Sequence, residues 1–175
     1  MDKKPVAKVY IDGANVFYTQ KKLGRSLDWQ KVKNYFSESR DIIEYRYYVG
    51  VKKDDEAIKK YLKYLDQINF VAVSKPLKVI QADNQHPLNQ LYKYRQIYKC
   101  NFDVEIATDI SFDRAVLDEV ILFSGDSDFR YLADKIKNVG KKFTVFASRK
   151  TIAWELKLSA SEYFFIEDIS EILRN

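Results

Sequence analysis

The stretch VILFSGDSDF, Val120 to Phe129, joins four consecutive apolar residues to a turn that carries two acids. A short unbroken apolar run bounded by turn chemistry reads as a strand buried on both faces, the kind found in the middle of a parallel sheet. Beyond the turn, Phe129, Leu132, Ala133, Ile136 and Val139 line one side of a helix, and Gly140 is placed to end it. Strand, turn, helix is the expectation, with Asp126 and Asp128 at the carboxyl end of the strand. Phe143 to Phe146 follows as a further strand.

The same alternation extends in both directions. Val6 to Ile11 is an almost continuous apolar run that breaks at Asp12-Gly13, so an acid again stands at a strand end. Asp28 is suited to cap a short helix carrying Trp29, Val32 and Phe36, and Ile43, Tyr45, Tyr47 and Val49 alternate as in a strand. Asp54 or Asp55 opens an amphipathic helix through Ile58, Tyr61, Leu62, Leu65 and Ile68, and Phe70 to Val73 is the next strand. Residues 74–99 show no clean period and read as a variable excursion with one short helix. A helical segment from Asp103 to about Leu117 precedes the central strand. After it come a helix from about Thr151, a strand at Tyr163 to Ile166 and a last short helix. Alternating strands and helices predict a three-layer α/β/α domain, Rossmann-like, with a mainly parallel central sheet spanning residues 1–175.

Composition narrows the function classes. Aromatic residues make up 15% of the chain with only five glycines and three prolines, which argues against disorder and low-complexity linkers. No apolar run approaches the length that spans a bilayer, and the N-terminus lacks the pattern of a signal peptide. With the single Cys100, these features predict a reducing compartment, the cytoplasm by default, and no membrane partner. A net charge of +5 favours a polyanionic partner if the basic residues share a face.

In a parallel sheet, ligands sit beyond the carboxyl ends of the strands, so Asp12, Asp126 and Asp128 are expected at one edge. Two carboxylates about 4 Å apart repel by roughly 4 kcal/mol at an effective dielectric of 20, and a divalent cation removes that conflict. Helix capping accounts for Asp12 alone or for one acid of the turn, but not for all three together. Between them lies FDVEIATDISFD, Phe102 to Asp113, where Glu105, Asp109 and Asp113 share one helical face. Glu105 and Asp113 read as a solvated face and Asp109 as the acid that points into the site.

IDGAN at Ile11 to Asn15, FDVEIATD, SGDSDF and then Gly140-Lys141-Lys142, in that order, resemble the NYN domain, a branch of the PIN-like nucleases. The resemblance covers most of the chain, residues 74–99 excepted. It implies a PIN-like fold and metal-dependent RNA cleavage. Asp12, Asp109, Asp126 and Asp128 would bind Mg²⁺ or Mn²⁺, Asp126 directly and Asp128 through water. Asn15 would support Asp12, and Ser124 and Ser127 would shape the turn. Asp103 also matches a recurrent acidic position, although it could simply cap the helix that contains Asp109, and it ranks after the other four acids. Carboxylates suit these hard cations, which keep several waters and bridge to phosphate. Cations expected to contact RNA are Lys99, Arg130, Lys141, Lys142, Arg149 and Lys150. The run LYKYRQIYK, Leu91 to Lys99, interleaves rings and cations in a way that suits single-stranded bases, although an ordinary amphipathic helix with snorkelling lysines is the favoured reading. His86, the single histidine, lies in the excursion and is expected to be exposed. A homodimer is a further expectation from PIN-like domains.

Rival readings are a catalytically inactive RNA-binding or regulatory module and a phosphatase-type domain. The second would want Asp-x-Asp after the first strand, where this chain has Asp12-Gly13-Ala14. Dinucleotide binding is excluded because no G-x-G-x-x-G follows that strand.

Overall fold

The computed structural model describes residues 3–81 and 96–174. Its centre is a six-stranded, wholly parallel sheet in the order β3-β2-β1-β6-β7-β8. The strands are β1 (Val6–Asp12), β2 (Asp41–Val51), β3 (Phe70–Pro76), β6 (Glu119–Phe123), β7 (Lys142–Ala147) and β8 (Glu162–Phe165). A short antiparallel pair, β4 (Lys78–Gln81) and β5 (Gln96–Lys99), stands apart from it. The central strand was legible because every residue from Glu119 to Phe123 is buried. No helix among the described residues is long and apolar enough to cross a membrane.

Two cores sandwich the sheet. On one side α1 (Gly13–Leu23), α2 (Trp29–Ser37) and α3 (Glu56–Gln67) cover Ala7, Val9, Ile11, Tyr45, Tyr47, Ile121 and Phe123. This core is aromatic: Phe123 stacks on Phe146 at 5.0 Å, Phe146 stacks on Phe164 at 5.1 Å, and Trp29 donates its indole N–H to the Tyr61 hydroxyl at 2.7 Å. On the other side α4 (Asp103–Asp113), α5 (Arg130–Asn138) and α6 (Trp154–Ser159) cover Tyr10, Tyr48, Val120, Leu122, Phe143 and Val145. Alternate residues along each strand therefore serve opposite layers, as the period of two requires.

Several expectations need correction. One helix was expected between β1 and β2 and there are two, because α1 buries only Gly13, Val16 and Thr19 and leaves Phe17 and Tyr18 exposed, so it shows no apolar stripe. Gly13 opens this helix instead of turning the chain. Its value is space, since a Cβ there would strike the Tyr48 carbonyl and the Tyr47 ring. Asp28 and Asp55 cap α2 and α3 as read, each accepting from two backbone N–H groups at 3.0–3.2 Å. Within the excursion, β3 runs on to Pro76 and Gln96–Lys99 is strand, not helix. The expected short helix, His86, Tyr92, Lys93, Tyr94 and Arg95 lie outside the described residues. The tail ends in two 3-10 turns at Ile166–Asp168 and Ser170–Ile172.

The acidic face of α4 is partly exposed, and each acid on it is paired with a cation. Asp113 accepts from the Lys8 ammonium at 2.6 Å and from the Tyr10 hydroxyl at 2.8 Å, and Glu105 pairs with Lys75. Lys8 is only 4% exposed and also meets Glu44 at 2.8 Å. Like charges at i, i+4 disfavour an isolated helix, and here the sheet supplies the cations that offset them. Burial pushes the Asp113 carboxyl up, but bonds from Lys8 and Tyr10 outweigh it and hold it below the usual carboxylate range. Its folded value is thus depressed. The stability it contributes is present above the unfolded value and is lost as pH falls through the folded one. Asp113→Asn is expected to lower the urea midpoint at neutral pH, with the deficit shrinking in acid. A deficit that stays constant from neutral pH into strong acid contradicts the ionic origin.

Candidate active site

Strand pairing creates the site. β1 and β6 lie side by side with Ile11 opposite Phe123, so the next residues, Asp12 and Ser124, leave the sheet as neighbours. The chain order reverses between these strands, which makes the crevice at their carboxyl ends the topological switch point of the sheet. Asp12 and Ser124 also share strand parity with Tyr10 and Leu122, whose side chains belong to the core beneath α4 and α5.

Asp12 is both a helix cap and a wall of this crevice. One carboxylate oxygen accepts the N–H groups of Ala14 and Asn15 at 3.1 Å, and the other accepts the Ser124 hydroxyl at 3.0 Å. Ser124 in turn accepts the Asp126 N–H at 3.2 Å, and the Asn15 side-chain carbonyl accepts the Gly125 N–H at 3.1 Å. The two sequence motifs are therefore stitched together through Asn15 and Ser124. Burial raises the Asp12 carboxyl above the usual range, its hydrogen bonds pull the other way, and the Asp126 charge adds to the rise.

The SGDSDF turn ends in a 3-10 turn, Ser127–Phe129, and leads straight into α5. Asp126 caps it, accepting the Asp128 N–H at 3.0 Å. Gly125 is required because a Cβ would collide with the Thr151 carbonyl of the loop after β7. The Gly125 carbonyl accepts the Ala153 N–H at 2.8 Å, which pins that loop to the turn. Ser127 is exposed at the start of the turn.

Asp103, which the sequence ranks behind the other four acids, joins Asp126 and Asp128. One carboxylate oxygen from each of the three lies within 4.8 Å of the others. It is the first residue of α4 and not its side-chain cap. Asn101 fixes it from both ends, donating its amide to the Asp103 carboxylate at 2.5 Å and accepting the Asp103 N–H at 2.7 Å. Burial raises the Asp103 carboxyl, the Asn101 bond opposes this, and the charges of Asp126, Asp12 and Asp128 raise it further. Asn101 was missed in the sequence, although Asn-Phe-Asp at a helix start is an Asx-type signal.

The structure does not bring Asp109 to this group. Six residues along α4, about 9 Å at 1.5 Å per residue, it pairs with Arg46 at 2.8 Å and accepts the Tyr48 hydroxyl at 2.7 Å. Its charge is answered from β2. Helical periodicity alone could not reveal this, because the partners sit more than sixty residues away. The same contrast separates the other acids of α4 and the buried acid of β6 from those at the crevice. Asp109, Asp113, Glu105 and the buried Glu119, held by Arg40 at 2.7 Å, each have a cation, whereas no ion pair joins Asp12, Asp103, Asp126 or Asp128 to any described residue. Oxygen donors clustered without a counter-charge fit a hard divalent cation.

The basic candidates divide in the same way. Arg130 is exposed directly after the acid turn, and Arg149 and Lys150 lie in the loop after β7, at the same sheet edge. Arg149 pairs with Asp168, and Lys150 donates to the Lys22 carbonyl at 3.5 Å. Lys141 and Lys142 are at the opposite edge, since β7 begins at Lys142, which pairs with Glu162 at 2.7 Å. A strand of about 3.3 Å per residue separates them from the acid mouth. Lys99 ends the β4–β5 pair.

The family model for the NYN domain matches residues 6–167. The low amplitude and bright protein LabA of Synechococcus elongatus is 28% identical over 167 residues, which cover 94% of this chain and 86% of that protein. A crystal structure of a protein of unknown function from Vibrio parahaemolyticus superposes with a TM-score of 0.79 at 22% identity, over 99% of each chain, and so shares the fold. NYN domains are a PIN-like nuclease family. With a match across almost its whole length and the acid group at the switch point, the chain belongs to the NYN domain family.

Proposed function

We propose that this protein is a divalent-metal-dependent ribonuclease in which Asp103, Asp126 and Asp128 hold the ion and Asp12 faces it across the crevice. The observation that carries this reading is the convergence of three carboxylates within 4.8 Å at the switch point with no cation answering them. Carboxylates held this close repel one another, a cost that a bound cation offsets. A bound Mg²⁺ or Mn²⁺ would polarise the phosphate and lower the pKa of a water so that it attacks in line.

The chain's own residues prepare that step. Asp12 is immobilised by three hydrogen bonds, so its carboxylate keeps one orientation. Asn101 aims Asp103, and Asp126 is held by the turn it caps. Asp109 acts at a distance: with Arg46 and Tyr48 it fixes α4 against β2, and with it the position of Asp103. It is a positioning residue in this scheme, not a ligand. Arg130 and Lys150 stand at the same edge to meet phosphate oxygens.

Purified protein is expected to cleave RNA in Mn²⁺ or Mg²⁺ and to lose that activity in EDTA. Mn²⁺ at about one hundred times its dissociation constant should raise stability by about 2.7 kcal/mol. In Asp126→Asn both the cleavage and the thermal shift should vanish while the circular dichroism stays native. Undiminished cleavage in EDTA contradicts the reading, and RNA binding without turnover in either metal supports the inactive module.

Asp109→Asn separates positioning from ligation. It should retain the Mn²⁺ thermal shift with affinity weakened about 10–100-fold, as expected for a residue that orients a ligand. Complete loss of the shift, as in Asp126→Asn, would show that Asp109 binds the ion after all.

A further inference from the structure

Two exposed rings stand beside the acid turn without a role in the scheme above. Tyr131 is the second residue of α5 and 71% exposed, and Trp154 is the first residue of α6 and 64% exposed. Both helices start at the carboxyl edge of the sheet, α5 from the acid turn itself and α6 from the loop that Gly125 grips. α6 packs against α5 and against Ser127–Phe129, so the backbone positions that carry both rings are fixed relative to the acid turn. Each has an ammonium group on its own helix. Lys135 lies 5.0 Å from the Tyr131 ring centre and Lys157 lies 5.5 Å from that of Trp154. Lys157 also meets the rings of Tyr163 at 4.7 Å and Phe165 at 5.4 Å.

The charge on this strip is strongly positive. Residues 130–138 and 148–159 contain six cations, Arg130, Lys135, Lys137, Arg149, Lys150 and Lys157, against two acids, Asp134 and Glu155. No carboxylate among the described residues pairs with Arg130, Lys135, Lys150 or Lys157. Exposed rings alternating with unanswered cations match a strand whose bases are free to stack and whose phosphates need counter-charge. A duplex hides its base faces and cannot use the rings, and an apolar protein partner would leave the cations buried without partners.

We propose that Tyr131 and Trp154, with Lys135 and Lys157, form a track for single-stranded RNA, stacking unpaired bases next to the phosphate presented to the acids. The track rests on the nuclease reading for its direction, yet binding to it needs no metal. That independence makes the two separable.

Trp154 reports on its own occupancy, because the only other tryptophan, Trp29, is 2% exposed and hydrogen-bonded in the core. In EDTA, a single-stranded RNA 12-mer should quench the exposed tryptophan signal and shield it from iodide, and the same sequence as a duplex should bind at least about tenfold more weakly. Trp154→Ala and Tyr131→Ala should each weaken single-strand binding about 5- to 100-fold, and in Mn²⁺ should raise KM more than they lower kcat. Unchanged 12-mer affinity in both variants, or equal affinity for duplex, overturns the track even if the protein cleaves RNA. If instead the variants change only the oligomeric state, the strip joins copies of the chain and the track is overturned. Quenching and shielding without cleavage in any metal keep the track and reject the nuclease reading.

Discussion

The two motifs of the site meet because β1 and β6 are hydrogen-bonded neighbours in one register. Ile11 opposite Phe123 places Asp12 beside Ser124, and the hydroxyl of Ser124 then ties the first motif to the backbone of the second. More than a hundred residues of chain separate the two motifs. A slip of one residue in this pairing would turn Asp12 to the opposite face and bury it among the aromatic rings beneath α1 and α2. The apolar filling of both strands on both faces makes such a slip costly, so core packing sets the geometry of the acids.

Helix α4 shows how the fold sorts charge. Along one helix, Asp109 and Asp113 are neutralised by Arg46 and Lys8 from the sheet, while Asp103, at the end that reaches the switch point, is held by the neutral amide of Asn101 among other acids and has no ion pair among the described residues. The paired acids hold the helix down. That anchoring lets the unpaired one be kept among like charges, a cost in the folded chain that binding a cation would offset. Stability and chemistry thus occupy different turns of the same element.

Much of this arrangement could be read from the chain. Apolar runs ending in acids located β1 and β6, and their alternation with helices gave the parallel sheet and its ligand edge. The local caps Asp28 and Asp55 were legible because their partners are two and three residues away. Pairing across the sheet was not legible. Spacing aimed Asp109 at the site and Asp113 at solvent, and nothing near them in sequence announces their partners Arg46, Tyr48, Lys8 and Tyr10. Asp103 ranked behind the other four acids because a cap and a ligand look alike at a helix start. Lys141 and Lys142 were misplaced because a motif says nothing about which end of a strand its residues occupy.

The central claim is that the unanswered acids at the switch point, and not the acids along α4, hold a divalent cation. Anomalous diffraction from crystals soaked in Mn²⁺ tests it most directly. The account predicts a peak among the carboxylates of Asp103, Asp126 and Asp128. A site empty at saturating Mn²⁺, or a peak beside Asp109 instead, would contradict it.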